Sequence, residues 1–300
     1  MYLLLLTWSA TPIRSSRKRG QTIIPLKRES SHSELDHLIK TLHLKSVPSG
    51  GISFLAPLHV YHTEKPYLSR LPSGTSLPRT NLVTSNQQLD IFEVSGHESS
   101  FTLAESGFEY AKSSVQVHLW NDTSVCLEYI PQMEQWLKKY LDCARVLIYA
   151  YNMQLRHHVF AGCSSFSHSS IWRPITTPHQ DSPLALCDYR SLNPDKDLVS
   201  ADIIFPHYRD EAYEVLYNPN QRWFYKKGME WDDVILFKLG DSKADEAQRK
   251  DRLVPLEFRI DHMRLSADSS VCPHSAFMDP SVPTGTPARR SIEIRAMIIG

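Results

Sequence analysis

The residues best suited to bind a metal in this 300-residue chain are a His-x-Asp triplet and a later histidine. His179 and Asp181 stand two positions apart, ahead of a strand-like stretch, and His274 follows in the sequence Val-Cys-Pro-His-Ser-Ala-Phe. Non-haem iron(II) oxygenases hold their metal with two histidines and one carboxylate on one face, which leaves the remaining positions open. His179, Asp181 and His274 are therefore the candidate metal ligands, and Fe(II) is the candidate metal.

An Arg-x-Ser pair follows the second histidine and opens the last predicted strand. Arg289 and Ser291 lie at the start of the sequence RRSIEIR. The planar guanidinium fork of arginine donates two parallel, charge-assisted hydrogen bonds to a carboxylate, which the lysine ammonium group does not. We interpret Arg289 and Ser291 as a candidate clamp for the distal carboxylate of 2-oxoglutarate.

Each candidate also has a simpler explanation. The chain has 14 histidines, so a His-x-Asp triplet arises easily by chance. Asp181 is then a turn cap, His179 a solvated side chain and His274 a loop residue. Other chemistries have weaker support, because the sequence has no glycine-rich nucleotide-binding motif and no nucleophile elbow. The metal hypothesis depends on the order and spacing of its residues together.

Composition excludes several classes of function. Lysine plus arginine and aspartate plus glutamate both number 33, so no broad basic surface for nucleic acid is expected. The apolar N-terminal run is far shorter than the roughly 20 residues of a membrane span, so no membrane partner is expected. Five cysteines without a C-x-x-C pair favour a reducing compartment, and we expect a cytoplasmic protein. The composition leaves the oligomeric state open.

The residue pattern predicts a mainly β protein with flanking helices. Residues 1–50 are serine-rich and basic, with one short amphipathic piece at Glu34–His43, and are expected to be poorly ordered. Residues 51–300 are expected to form a single domain. MEQWLKKYLD, Met133–Asp142, has the periodicity of a surface helix. Ala212–Tyr217 and Arg222–Lys226 flank Asn-Pro-Asn-Gln and predict a β-hairpin. Further strands are predicted at Ile52–Tyr61, Ser99–Tyr110, Arg145–Tyr151, Ile171–Ile175, Leu184–Tyr189, Ala201–Tyr208, Asp233–Leu239 and Ser291–Ile299. Many short strands with few helices indicate an antiparallel barrel or jelly roll.

Several motifs, in order, resemble those of the fungal hydroxylase/desaturase family, which includes aspergillic-acid-type hydroxylases and gibberellin-desaturase-like oxidoreductases. The matching segments are Arg79 to Leu82, Ser100 to Phe108, Ile171 to Ile175, Asp181 to Ser191, Tyr217 to Tyr225, Val234 to Lys238 with Asp241 and Ser242, Pro273 to Phe277, and Arg289 to Arg295. The resemblance covers about residues 55–300. It implies a double-stranded β-helix (jelly roll) that binds Fe(II) and 2-oxoglutarate and oxidises a small-molecule intermediate of secondary-metabolite biosynthesis.

The chain departs from the family pattern in two places. In the family the His-x-Asp pair lies on a strand upstream of the Trp-Arg-Pro motif, and that strand has no counterpart here, so the jelly roll is expected to be incomplete. By resemblance Asp181 belongs to the Asp-Ser-Pro-Leu-Ala motif, and only His274, Arg289 and Ser291 carry over as site residues. The second departure is an insertion at about residues 243–270. A missing segment together with an added one suggests an aberrant gene model or a degenerate paralogue.

Three hypotheses remain open from the sequence. In the first, His179 and Asp181 replace the lost pair and the protein is an active oxidoreductase. In the second, it is a catalytically inactive or truncated paralogue that serves as a binding or accessory protein. In the third, it is a cupin-type binding protein with an apolar barrel interior. Convergence of His179, Asp181 and His274 on a common point distinguishes the first hypothesis from the others.

Overall fold

The structure is a computed structural model that describes residues 28–48, 51–155, 162–164, 169–175, 181–239, 271–283 and 285–299. Its α-helices are α1 (Arg28–Thr41), α2 (Asp122–Ser124), α3 (Ile130–Tyr140) and α4 (Pro194–Asp197), and a π-helical turn, Val125–Tyr129, joins α2 to α3. Its strands are β1 (Ser46–Pro48), β2 (Ile52–Leu55), β3 (Tyr67–Ser69), β4 (Thr84–Gln87), β5 (Asp90–Glu93), β6 (Phe108–Lys112), β7 (Arg145–Leu155), β8 (Gly162–Ser164), β9 (Ser169–Pro174), β10 (Leu184–Cys187), β11 (Leu198–Ile204), β12 (Arg209–Val215), β13 (Trp223–Tyr225), β14 (Asp233–Lys238), β15 (His274–Ala276) and β16 (Arg290–Ile299).

The strands form two large sheets. One has nine strands in the order β1-β5-β13-β10-β15-β8-β12-β11-β3, and the other has five in the order β6-β14-β9-β16-β7. From β7 to β10 and again from β13 to β16, consecutive strands alternate between the two sheets. Most neighbouring strands are antiparallel, and β3 with β11 and β5 with β13 are parallel pairs. This alternation confirms the predicted jelly roll.

The five-stranded sheet separates the barrel interior from a helical layer. Because side chains alternate across a strand, Ile292, Ile294 and Ala296 of β16 face outward and pack with Met133 and Leu137 of α3. The prediction of an amphipathic helix at Met133–Asp142 is confirmed, although the observed helix begins three residues earlier. The intervening β16 residues face the nine-stranded sheet, so their side chains enter the barrel.

Aromatic side chains fill one end of the space between the sheets. Phe224 of β13 lies 4.8 Å from the ring of Phe101, and that ring stacks on Phe108 at 5.4 Å. Trp223 and Tyr225 on either side of Phe224 are also buried, as expected of core aromatics. Burying such large side chains supplies much of the stabilising apolar area.

Residues 28–48 form part of the folded body, contrary to the prediction of poor order through residue 50. Leu35 of α1 is buried in the main core, and the Asp36 carboxylate pairs with Arg222 at 2.8 Å. β1 adds an edge strand beside β5. The amphipathic piece at Glu34–His43 lies largely within α1, whose apolar face has a place to pack. Residues 1–27 lie outside the described residues.

The predicted hairpin is wrong. β12 pairs with β11 and β8, whereas β13 pairs with β10 and β5 in another part of the same sheet. The turn sequence is present, but β12 forms its hairpin with the preceding strand, β11, and β13 joins β10 and β5. Two strand predictions were also too long: Ile52–Tyr61 ends as a strand at Leu55, and Ser99–Tyr110 contains only the start of β6. The predicted insertion at 243–270 lies outside the described residues.

Within the described ranges, no helix is both long enough and apolar enough to cross a membrane.

Candidate functional site

Polar side chains follow one another along the inner face of β16. Arg289, just before the strand, and Ser291 are fully buried, Glu293 is 8% exposed, and the Arg295 side chain is 40% exposed. Alternate residues of a strand share a face and advance by about 6.6 Å. The increase in exposure shows that the barrel is closed beside Arg289 and opens toward Arg295.

Among the described residues, the Arg289 guanidinium is hydrogen-bonded through one of its nitrogens. Nη1 donates to the carbonyl oxygen of Ser182 at 2.6 Å, and Cζ lies 5.3 Å from the centre of the Trp172 ring. Nε and Nη2 are buried without a hydrogen-bond partner among the residues that the structure describes. Burial lowers the pKa of Arg289 to about 10, an effect that the charge of Asp181 opposes, so the side chain remains a cation at neutral pH.

The hydroxyl group of Ser291 is a third hydrogen-bond donor, beside Nε and Nη2 of Arg289, that has no partner among the described residues. It lies two residues beyond Arg289 on the same face, and its buried Oγ likewise has no described partner. Leaving buried polar groups unpaired costs about 1–3 kcal/mol each. Nε and Nη2 are the edge of arginine that binds a carboxylate in a bidentate manner. A carboxylate ligand fits this donor set and would remove the cost.

His274 lies on the nine-stranded sheet, facing the five-stranded one. The imidazole packs 4.5 Å from the ring of Phe237, and Nδ1 is 3.0 Å from the carbonyl oxygen of Cys272. Because a carbonyl can only accept, Nδ1 carries the proton, and burial lowers the pKa of His274 toward the neutral ring. The lone pair is therefore on Nε2. Backbone anchoring of one ring nitrogen is common in histidines that bind metals through the other.

Glu293 is a buried carboxylate within electrostatic range of that imidazole. Its Oε1 accepts a hydrogen bond of 2.7 Å from Ser170 and lies 3.6 Å from Nε of Arg295. The negative charge of Glu293 raises the pKa of His274, against the larger lowering by burial. Polar groups of both facing sheets therefore border the barrel interior.

Two further acids, Asp210 and Glu214, lie on the same face of β12. Burial raises the pKa of Asp210, and the nearby Arg295 opposes that shift. Burial alone raises the pKa of Glu214 to about 7. In the strand register, Glu214 pairs with Gly162, which in turn pairs with His274. Glu214 is therefore two strands away from His274 on the same side of the sheet.

In the structure, Asp181 holds the backbone of Arg289. Its carboxylate accepts the backbone N–H of Arg289 at 2.9 Å, so it fixes the chain at the start of β16. His179 lies outside the described residues, so the predicted convergence of His179, Asp181 and His274 remains a prediction. Among the described residues, no three histidine, cysteine, aspartate or glutamate side chains group closely enough to hold a metal ion. The described part of the chain thus fits the carboxylate of 2-oxoglutarate better than it fits a complete iron site.

Sequence reasoning missed three residues of this interior: Trp172, Ser170 and Glu293. The alternation in SIEIR already placed Glu293 and Arg295 on the face of Ser291, which was the available signal. Trp172 and Ser170 could not be placed beside β16 because the pairing of β9 with β16 joins residues more than 100 positions apart.

The two facing sheets define a jelly-roll domain with a buried arginine, Arg289, between them. Two of its three guanidinium nitrogens have no hydrogen-bond partner among the described residues. Residues 52–170 and 163–299 match the family described as oxidoreductase/YMDC permease-like domain, and the chain belongs to that family. The resemblance to fungal hydroxylases/desaturases is also confirmed by individual relatives.

Two relatives are similar over most of their length. The hydroxylase/desaturase efuI of Hormonema carpetanum is 23% identical over 289 residues, which cover 77% of this chain and 89% of the relative. The hydroxylase/desaturase asaB of Aspergillus flavus is 26% identical over 255 residues, or 80% of this chain and 92% of the relative. Both are fungal proteins.

A third relative also has a solved structure under the same name. The Fe(II)/2-oxoglutarate-dependent dioxygenase nvfI of Aspergillus novofumigatus is 28% identical over 139 residues, which cover 46% of this chain and 42% of the relative. The structure of the iron- and alpha-ketoglutarate-dependent endoperoxidase NvfI superimposes with a TM-score of 0.67 at 19% identity, over 86% of this chain and 98% of that chain. At this identity the likeness establishes the shared jelly-roll fold.

Proposed function

We propose that the protein is an oxidoreductase of the iron(II)/2-oxoglutarate type that hydroxylates or desaturates a small-molecule intermediate of secondary metabolism. The observation that carries the proposal is the buried Arg289 guanidinium with its Nε and Nη2 edge unused. A cation buried beside an unpartnered Ser291 hydroxyl suits an anionic ligand, and the planar edge suits a carboxylate in particular.

In this proposal, Arg289 and Ser291 bind the distal carboxylate of 2-oxoglutarate. The Ser182 carbonyl and the Trp172 ring hold the guanidinium in place, so little side-chain freedom is lost when the ligand binds. Burial excludes water from the clamp and strengthens the charge-assisted bonds. Bound 2-oxoglutarate supplies electrons for oxygen activation by its oxidative decarboxylation to succinate and carbon dioxide.

His274 is the proposed histidine ligand of the iron. Its neutral tautomer directs the Nε2 lone pair away from the Cys272 carbonyl, as metal binding requires. The described residues do not supply a three-residue ligand set for the metal. The substrate is proposed to enter between Arg295 and β12, where the inner side chains are most exposed.

The proposal is tested by isothermal titration of the purified protein with 2-oxoglutarate. Replacement of Arg289 by glutamine removes two charge-assisted hydrogen bonds, so we expect affinity to fall by at least about tenfold. Arg289→Lys retains the charge but not the fork and should bind with intermediate affinity. Wild-type affinity in Arg289→Gln would overturn the clamp.

Arg209→Gln is the matched control, because Arg209 is an exposed member of a surface ion pair with Asp202. It should bind 2-oxoglutarate like the wild type. Catalysis is checked separately by succinate formation with Fe(II) and oxygen in the wild type and in His274→Ala. Succinate at the same background level in both proteins would contradict the oxidoreductase proposal and favour a binding role.

A further inference from the structure

A second arginine, Arg173 of β9, is buried on the face of the five-stranded sheet that lies against the helical layer. It is 2% exposed. It pairs in register with Ile292 of β16, which belongs to the apolar cluster packed against α3. Moving a charged group from water into such surroundings is costly unless a partner of opposite charge accompanies it. The burial of Arg173 therefore calls for a negative charge nearby.

The contacts of Arg173 do not supply that charge. Nη1 donates to the carbonyl oxygen of Val115 at 2.8 Å, and Cζ lies 5.8 Å from the ring centres of both Trp120 and Tyr129. Nε is buried and has no hydrogen-bond partner in the described part of the chain. No carboxylate among the described residues forms an ion pair with Arg173. The guanidinium thus keeps an unpaired donor and an unbalanced charge.

The three acids between the start of α2 and the end of α3 are engaged elsewhere or exposed. Asp122 accepts a hydrogen bond from the hydroxyl of Tyr151 at 3.0 Å. Glu134 accepts a backbone N–H of β7 at 2.9 Å. Glu128 is exposed on the π-helical turn. The helical layer therefore covers Arg173 without balancing its charge.

The hydroxyl group of Tyr129 is a second unpaired donor beside this guanidinium. Tyr129 is fully buried at the end of the π-helical turn, and its hydroxyl hydrogen has no acceptor among the described residues. Burial raises the pKa of Tyr129 to about 12, and the neighbouring Arg173 cation opposes that rise. The phenol therefore keeps its proton at neutral pH. π-Helical turns are frequent at functional sites.

We propose that Arg173 and Tyr129 bind a small monovalent anion, with chloride as the ligand. Their unpaired donors, Nε–H and the phenol O–H, come from two side chains, and a spherical ion accepts both without a fixed planar geometry. At Arg289, in contrast, the unpaired Nε and Nη2 share one edge of a guanidinium, which suits a carboxylate. Both side chains are enclosed, which favours a monoatomic ion over an organic acid.

The two donors belong to different elements of the fold. Arg173 lies on β9 of the sheet, and Tyr129 lies on the π-helical turn that leads into α3. An ion bound by both therefore joins the helical layer to the sheet. Because it binds the folded chain and not the unfolded one, it raises the free energy of unfolding. The inference is independent of the proposed function, since the clamp lies on the opposite face of the sheet.

The test is thermal unfolding of the full-length protein in sodium chloride and in sodium gluconate at equal ionic strength. Equal ionic strength makes general charge screening the same in both salts, and gluconate is too large for an enclosed site. We expect chloride to raise the unfolding temperature of the wild type by about 2–4 °C, with saturation as its concentration increases. Sodium bromide should act like sodium chloride, because the two ions have the same charge and shape.

Two variants remove the donors one at a time. Tyr129→Phe removes only the O–H group and should lose at least half of the chloride effect, whereas Arg173→Met removes the cation and should lose all of it. Tyr110→Phe is the matched control, because Tyr110 has a buried hydroxyl without a described partner but packs in the main core. Arg289→Gln controls for chloride at the clamp. Both controls should show the chloride effect of the wild type.

Two results would overturn the inference. If the wild type unfolds at the same temperature in both salts, no anion binds, and a water molecule is the partner of the two donors. If the chloride effect keeps its full size in Tyr129→Phe or in Arg173→Met, the ion binds elsewhere. Should Arg173→Met fail to fold, Tyr129→Phe decides, because it retains the cation and the aromatic ring.

Discussion

The carboxylate of Asp181 accepts a 2.9 Å hydrogen bond from the backbone N–H of Arg289, 108 residues further along the chain. The neighbouring Ser182 carbonyl accepts a second bond, from Nη1 of the same arginine. The Asp-Ser pair therefore fixes both the backbone and the side chain of Arg289. A segment that by sequence offers a metal ligand serves in the structure to position Arg289, the arginine of the proposed carboxylate clamp.

Removing the Asp181 carboxylate should loosen the clamp. In Asp181→Ala the buried N–H of Arg289 loses its partner, so we expect the free energy of unfolding to fall by about 1–3 kcal/mol. Binding of 2-oxoglutarate should weaken as well. Asp181→Asn retains an acceptor oxygen and should be less affected in both. Urea denaturation and calorimetry measure the two effects, and equal behaviour of the alanine and asparagine variants would contradict the role of the acceptor.

Tryptophan fluorescence should report occupation of the clamp. The Trp172 ring lies 5.3 Å from Cζ of Arg289, so a carboxylate that binds the guanidinium changes the electric field at the indole. Titration with 2-oxoglutarate should therefore change the emission of the wild type. Trp172→Phe leaves the other five of the six tryptophans and should lose most of that change. A full-size change in Trp172→Phe would place the ligand elsewhere.

Glu214 should make stability depend on pH. Burial raises its pKa from 4.5 to about 7 in the folded protein. Between those values the folded state holds a proton that the unfolded state has released, so the free energy of unfolding falls as pH rises from about 4.5 to about 7. The loss should be on the order of 2–3 kcal/mol. Glu214→Gln should remove this decrease, and the exposed Glu128→Gln should retain it. An unchanged pH profile in Glu214→Gln would refute the assignment.

Arg173 should be important for stability and not for the clamp. Its guanidinium donates to the Val115 carbonyl at 2.8 Å and lies 5.8 Å from the rings of Trp120 and Tyr129, on the helical side of the five-stranded sheet. Arg173→Ala leaves that carbonyl unpaired and a cavity behind, so a loss of about 2–4 kcal/mol is expected.

The control for Arg173 is the exposed Arg209→Ala, which should change stability by no more than about 0.5 kcal/mol. Folded Arg173→Ala should bind 2-oxoglutarate with wild-type affinity. A large loss of ligand binding in a folded Arg173→Ala protein would show that the helical layer and the clamp are coupled.

The sequence by itself determined the class of fold and most strand positions, and it supplied the candidate residues of the clamp. Alternation of apolar and polar residues fixes which side chains of β16 face inward, because successive side chains of a strand point to opposite sides. For the same reason Arg289 and Ser291 had to share a face with Glu293.

Only the tertiary structure decided which elements meet. A turn sequence between β12 and β13 favoured a hairpin, but β12 pairs with the preceding strand β11 and with β8, and β13 pairs with β10 and β5. The local pattern does not encode that competition. The role of Asp181 depends on a contact across 108 residues. The contact between the His274 and Phe237 rings depends likewise on two facing sheets. Such contacts arise from the packing of the whole chain, so the spacing of residues along it does not show them.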